Sequence, residues 1–318
     1  MSDRERTARV RALAKINLDL RVLHRRPDGY HELRSVFQTI SLSDSLEISF
    51  RPGRQRALMV ESQPEIAQNL VDQAARLLME QTSLCGEVNI RLRKRIPMGA
   101  GLGGGSSDAA AVLLALPVLA GVPVKLEQLL DWAGRLGSDV PYFLFGGKAL
   151  VMGRGCEVYP LPEGGKGWAV VTVPGLSVST AQAYQELGRS TAALPETGEI
   201  QQFQAWVWGQ TLKASLPAPA VGRNDFEAVL FRRYPALASL KRKLSSLAED
   251  GALVSGSGSA LFALFCRRAQ AEQACRALGQ GSVVVSLVSR AAYRSLWQRW
   301  LANHCRGRQW PPRSRYLP

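Results

Sequence analysis

The sequence predicts an α+β protein of two domains, on three observations. The chain has 318 residues, 46% hydrophobic and 21% charged, an ordinary globular composition at about twice a typical domain length. Helical and strand periodicities both occur, without the regular strand–helix alternation of a parallel sheet. A loop rich in Pro and Gly over 160–167 separates two such mixed halves. We expect a first domain over residues 1–155, a second over 156–289, and a C-terminal extension over 290–318.

Each element has its own signal. VRALAKINLDLRVL alternates polar and apolar residues from Lys15 to Leu23, as a half-buried strand does. Turn chemistry follows at Pro27-Asp28-Gly29, then strand-like sequence from Ser35 to Phe50, broken at Ser43-Asp44. Ile66, Leu70, Val71, Ala74, Leu77 and Leu78 keep helical spacing, and Val88, Ile90 and Leu92 alternate as another strand. That strand runs into PMGAGLGGGSSD (97–108), where Ser106-Ser107-Asp108 opens an apolar helix that Pro117 should end early. A helix from Leu126 to Leu136 stops at Gly137. Strands at 149–152 and 168–173 come next, then helices after Ser179, near 224–234 and near 237–247. The strand–turn–strand ALVSGSGSALFALF, the helix RAQAEQACRAL and the strand SVVVSLVS complete the series.

Composition excludes several classes. No apolar run reaches the roughly 18–20 residues of a membrane span. MSDRERTARVR lacks the apolar core of a secretory signal, so a cytoplasmic location is expected. Five scattered cysteines without a CxxC read as thiols in a reducing compartment. Three histidines at no metal-ligand spacing argue against zinc.

The formal charge of +14 suggests nucleic acid until it is located. Seven arginines and no acid lie in the last 29 residues, leaving about half of the excess on the body. Leu296, Trp297, Trp300 and Leu301 would form one face of a short basic helix. That helix suits an acidic partner or membrane surface, or else docks on the protein or frays.

The chemistry starts at the glycine loop. Gly99, Gly101 and Gly104 formally satisfy GxGxxG, but the strand and acid of a dinucleotide fold do not follow, and the GK[ST] of a Walker loop is absent. The physics still points to phosphate. Dense glycine leaves backbone N–H groups free to converge, and the loop delivers an anion to a helix N-terminus. A second glycine turn, Gly256-Ser257-Gly258, could enclose a polyphosphate from the other side.

PMGAGLGGGSSD resembles the phosphate loop of the GHMP kinases, and GSDVPYFLFGG (137–147) and VSGSGSALF (254–262) are similar to that superfamily's other blocks. AKINLDLRVLHRRPDGYHELRSVFQTISLSD (14–44), PGLSVSTAQAY (174–184) and NDFE (224–227) resemble, within it, the bacterial and plastid 4-diphosphocytidyl-2-C-methyl-D-erythritol kinases. The likeness runs from about residue 12 to 289. It implies an N-terminal domain that holds ATP, with Mg2+, and a ferredoxin-like C-terminal domain that helps bind the cytidine diphosphate-linked sugar alcohol. It also implies phosphorylation of that substrate's 2-hydroxyl.

Residue by residue, the resemblance makes Asp139 the catalytic base and Lys15 its partner. It points to Pro97, Met98, Gly99, Ala100, Gly101, Leu102, Gly103, Gly104, Gly105, Ser106 and Ser107 for ATP, with Asn69 and Lys94. It points to Asn17, Tyr30, His31, Thr180 and Tyr184 for the substrate. The chemistry is coherent: a carboxylate can take the proton of a tertiary hydroxyl, a nearby lysine offsets charge at the phosphoryl group, and an aromatic ring can stack on cytosine. Magnesium ligands stay open, with Asp108 the acid beside the loop, as ligand or as helix cap. Another GHMP small-molecule kinase, of homoserine or mevalonate type, and a binder of nucleic acid or anionic surfaces through the tail are the alternatives.

Overall fold

A long hairpin organises the molecule, whose computed structural model describes residues 4–176, 178–189, 197–212 and 221–317. Ser177, inside the 174–184 stretch, lies outside them. Strand β1 (Arg6–Arg25) pairs antiparallel with β2 (His31–Pro52). Gly29 closes their turn at φ 86°, where a side chain would be strained.

Around the hairpin come β3 (Arg56–Gln63), α1 (Leu70–Gln81), β4 (Gly86–Arg93), α2 (Gly104–Ala120), α3 (Leu126–Leu136), α4 (Val140–Phe143), β5 (Lys148–Gly153) and β6 (Glu157–Pro160). Their sheet runs β3-β4-β2-β5-β6, with β1 on β2. Helix α2 is apolar all round and buried from Ser107 to Leu119, as a helix enclosed on every side must be.

The second domain holds β7 (Trp168–Thr172), α5 (Thr180–Leu187), α6 (Thr197–Leu212), α7 (Glu227–Arg233), α8 (Pro235–Ser245), β8 (Ala252–Val254), β9 (Leu261–Phe265), α9 (Arg268–Leu278) and β10 (Ser282–Ser286). Its antiparallel order β10-β7-β9-β8 is the 4-1-3-2 arrangement of a ferredoxin-like sheet. The hairpin is common to both halves. Ala14, Ile16, Leu18, Val36 and Ile40 share one apolar cluster with Ala169, Val171, Phe262 and Val285 of the second sheet.

Three expectations change. The alternating stretch of β1 is not half-buried: every residue from Ala12 to Leu23 is buried, because the polar face is covered as well. Strand β2 does not break at Ser43-Asp44. Asp44 instead points inward, and its carboxylate accepts from the Arg95 and Ile96 N–H groups and from Lys94. Helix α2 continues past Pro117 for one more turn, so the missing N–H costs a single bond. The Val122 N–H then closes the end on the Pro117 carbonyl at 3.0 Å.

The C-terminal extension takes the docked alternative, and is neither frayed nor a surface-seeking helix. Helix α10 (Arg290–Trp300) follows the Ser289 cap and joins the first domain's core through Tyr293, Trp297 and Leu301. Tyr293 donates to the Phe143 carbonyl at 2.5 Å, and Trp310 to that of Leu144 at 3.1 Å. Both anchors lie on or just after α4. An amphipathic face that finds apolar partners at home is not free for a membrane.

Trp297 is fully buried, and truncating such a side chain leaves a cavity costing about 3–5 kcal/mol. We therefore expect Trp297→Ala to lower the thermal unfolding temperature by several degrees, and deletion after Ser289 to leave little soluble protein. Calorimetric melting checks this. An unchanged melt would remove the extension from the core.

Candidate active site

Two irregularities in the β1–β2 ladder place the central lysine. Register shifts fall between Leu13 and Lys15 and between Asn17 and Asp19, and such bulges re-aim side chains and free backbone groups. The Lys15 N–H donates to the Leu102 carbonyl of the glycine loop at 3.0 Å. The Lys15 ammonium, 4% exposed, stands 3.4 Å from Asp139 and donates to Asn17 Oδ1 at 2.7 Å.

Asp139 sits at the N-cap position of α4, yet its side chain makes no cap hydrogen bond. The carboxylate is 30% exposed, with Lys15 on one side and open access on the other. A base needs that freedom, and an ordinary cap would have lost it.

The glycine loop wraps the start of α2. Gly103 is left-handed at φ 70°, and a Cβ there would meet Phe143 of α4 at 2.8 Å. That close approach sets the loop against Lys15 and Asp139. A cleft of about 320 Å³ beside it is lined by Asn69, Lys94 and every residue from Pro97 to Ser106. The cleft thus gathers the expected nucleotide residues except Ser107, whose hydroxyl is committed to the Leu13 carbonyl at 2.7 Å. Asn69 caps α1 through the Val71 N–H.

The second glycine turn does not face the first across a gap. The two touch: a Cβ on Gly101 would lie 2.0 Å from the Ser255 carbonyl oxygen. Ser255 Oγ donates to the Gly101 carbonyl and the Ala260 N–H to that of Ala100. Asn224 holds the turn from behind, donating to Val254 and Gly256 at 2.8 Å each. Sequence reasoning missed Asn224 as a support. Its only signal was an amide in NDFE, which is common in loops.

Lys94 is not a solvated charge. It bridges Asp44 at 2.5 Å and Asp108 at 2.7 Å, with 5% of its side chain exposed. Burial opposes its charge, but the two aspartates outweigh burial and raise its pKa. Burial pushes the Asp108 carboxyl up to about 8, with Lys94 working against it. Asp108 lies inside α2, so it caps nothing, and its Oδ1 is buried without a hydrogen-bond partner.

Among the described residues no cluster of three or more His, Cys, Asp or Glu could hold a metal ion. A magnesium ion carried by a nucleotide keeps most of its ligands as phosphate and water. The Ser106 hydroxyl and the orphaned Asp108 oxygen are a donor set that fits it.

The expected substrate residues divide. His31 and Tyr184 stack at 4.7 Å, and the edge of Tyr184 meets Phe226. Burial raises the Tyr184 pKa, and the Asp139 charge adds to it. Burial, with the charges of Arg25 and His24, pushes the His31 imidazole below its usual range. Tyr30 is 50% exposed, with Arg154 over one face. Thr180 shares a 2.7 Å hydrogen bond with Ser257. Asn17 is 1% exposed, and its amide is occupied by Lys15, Ser35 and Gly256. It builds the site from behind.

A glycine loop at a helix N-terminus, beside a lysine–aspartate pair between two α+β domains, defines a small-molecule kinase. The models of the GHMP kinases N terminal domain and GHMP kinases C terminal domain match residues 69–147 and 212–283. A 4-diphosphocytidyl-2-C-methyl-D-erythritol kinase of Solibacter usitatus is 52% identical, covering 98% of this chain and 99% of its own. One of Geotalea daltonii is 37% identical over 87% of this chain and 96% of its own. A crystal structure of 4-(cytidine 5'-diphospho)-2C-methyl-D-erythritol kinase superposes with a TM-score of 0.70 at 37% identity, covering 89% of this chain and 99% of that one. The chain belongs to the 4-diphosphocytidyl-2-C-methyl-D-erythritol kinase family.

Asp108 carries a pH signature. The folded protein holds its proton up to about pH 8, while the unfolded chain releases it near 3.8. Between those values the folded state binds more protons, so this group's contribution to stability is lost as pH rises. Asp108→Asn should flatten that decline, with the variant gaining on the parent toward alkaline pH. Urea unfolding across the window measures it. Parallel profiles would show that Asp108 does not titrate there.

Proposed function

We propose that this chain transfers the γ-phosphoryl group of ATP to the 2-hydroxyl of 4-diphosphocytidyl-2-C-methyl-D-erythritol. The observation that carries the reading is the Lys15–Asp139 pair, 3.4 Å apart, with Lys15 bonded through its backbone to the glycine loop. GHMP kinases use ATP, and the cleft from Pro97 to Ser106 suits its phosphates: convergent N–H groups, no intervening side chains and the N-terminus of α2.

Asp139 orients the hydroxyl and accepts its proton as the oxygen attacks phosphorus. Lys15, held by Asn17, keeps the carboxylate in place and offsets negative charge as the phosphoryl group moves. Ser106 and Asp108, the latter ionised by the cation's charge, would hold the magnesium ion that accompanies ATP, which would supply charge neutralisation at the phosphates. On the substrate side, Tyr30 offers the ring with a free face for cytosine, while Tyr184 is covered by His31 and Phe226. His31, neutral at neutral pH by the direction of its shift, can read the edge of the base by hydrogen bonds. Thr180, beside the second glycine turn, closes the far side.

An ATP-consumption assay against a panel of alcohols tests the reading. Turnover is expected with the diphosphocytidyl substrate. Turnover with homoserine or mevalonate, and none with that substrate, would overturn it. Asp139→Asn should lower kcat by roughly 10²–10⁴-fold, the range for general acid–base catalysis, with ATP affinity near normal by calorimetry. A fully active variant would take the base role from Asp139.

A stacked base is worth about 1–3 kcal/mol, so Tyr30→Ala should raise KM for the cytidine substrate by roughly 5- to 150-fold with kcat less affected. Steady-state kinetics decide. An unchanged KM would place the base elsewhere.

A further inference from the structure

A cavity of about 560 Å³ lies apart from the glycine loop, where β2, β5, the second sheet and the start of α10 meet. Its floor is a cross-strand pair, Gln38 on β2 opposite Lys148 on β5. Directly opposed residues share a face of the sheet, and these two are 5% and 3% exposed. Gln38 is fixed by donating to the Thr39 and Val288 carbonyls at 3.0 Å each.

Lys148 is different. Its backbone N–H donates to Glu163 and its carbonyl accepts from Arg290, but its ammonium has no hydrogen bond and no ion pair among the described residues. The nearby carboxylate is already used: Glu163 accepts from the backbone N–H groups of Lys148 and Arg290 at 2.8 Å, capping α10. Burial pushes the Lys148 pKa down, with the Glu163 charge opposing. A buried cation without a partner is costly, and here it borders an open volume instead of packed side chains.

The other walls indicate what would fill it. Lys166 stands exposed at the mouth, between Gly165 and Gly167. Trp168 and Leu287 give the cavity an apolar side. Lys148 and Lys166, with the Arg290 guanidinium on the Lys148 carbonyl, outnumber the Glu163 carboxylate and leave the site positive, while the apolar side suits an organic body behind an anionic head. The volume is that of a small-molecule site.

We propose that this cavity binds a small organic monoanion of the carboxylate class, its head on the Lys148 ammonium and its apolar body against Trp168 and Leu287. The site is independent of the kinase reading, because none of its residues touches the glycine loop or Asp139.

Isothermal titration calorimetry on the full chain tests it, with octanoate and benzoate as probes and octanamide and benzamide as neutral controls. One carboxylate should bind saturably at one site, with its amide at least tenfold weaker. Lys148→Met and Lys148→Gln should each lose at least tenfold, while melting no lower than the parent, since an unpartnered charge is removed. An ATP analogue should not displace the probe. No saturable binding by either carboxylate, equal binding of the amides, unchanged affinity in a folded Lys148 variant, or displacement by the ATP analogue would each overturn the proposal.

Discussion

Asn17 joins its own strand, β2 and the second glycine turn through one side chain, and the site stands on that convergence. Its Oδ1 takes the Lys15 ammonium at 2.7 Å and the Gly256 N–H at 2.8 Å, while its amide nitrogen donates to Ser35. One buried side chain therefore fixes the lysine, the second glycine turn and the β1–β2 pairing together. A buried polar network of this kind stabilises only when every member is satisfied. The bulges on either side of Lys15 and Asn17 accompany the arrangement, in which the Lys15 N–H turns to the Leu102 carbonyl of the glycine loop.

The main elements were legible in the sequence because their periodicities reflect packing against one core. Helix α1 and strand β4 are examples: their apolar positions are the buried ones. The cleft residues around Pro97–Ser106 were legible for another reason, because glycine at that density has few structural uses. What periodicity could not show is that a polar face can be buried too. Lys15, Asn17, Asp19 and Arg21 alternate as on a solvated strand, yet all four lie inside, paired with one another or with groups from the second domain. Ser43-Asp44 looked like a break for the same reason. Its aspartate serves Lys94 and two backbone N–H groups from a site 50 residues away, a partner no local pattern reveals. Helix α6 went unnoticed although Phe203, Trp206 and Val207, which meet the inter-domain cluster, keep the i, i+3, i+4 spacing of a helix face.

The basic C-terminal extension shows how charge totals mislead. Its arginines frame a packed apolar face instead of advertising one. Arg294 lies over the Trp310 ring at 5.5 Å, and Arg290 donates to the Lys148 carbonyl. Their long stems cover apolar surface while the heads reach solvent or backbone. The extension thus braces α4, whose N-cap is Asp139, through the Tyr293 bond to Phe143. The relative from Solibacter usitatus aligns over 98% of this chain, so the match extends into this segment.

The hairpin has a mechanical corollary. Strands of 20 and 22 residues run without interruption from the outer edge of the first sheet into contact with residues 222–225 and 287 of the second domain. Two lobes that share a pair of continuous, buried strands have no flexible joint between them. Bending there would break ladder hydrogen bonds and shear the common apolar cluster at once. A jaw-like swing of whole domains would therefore have to break the frame that both lobes share.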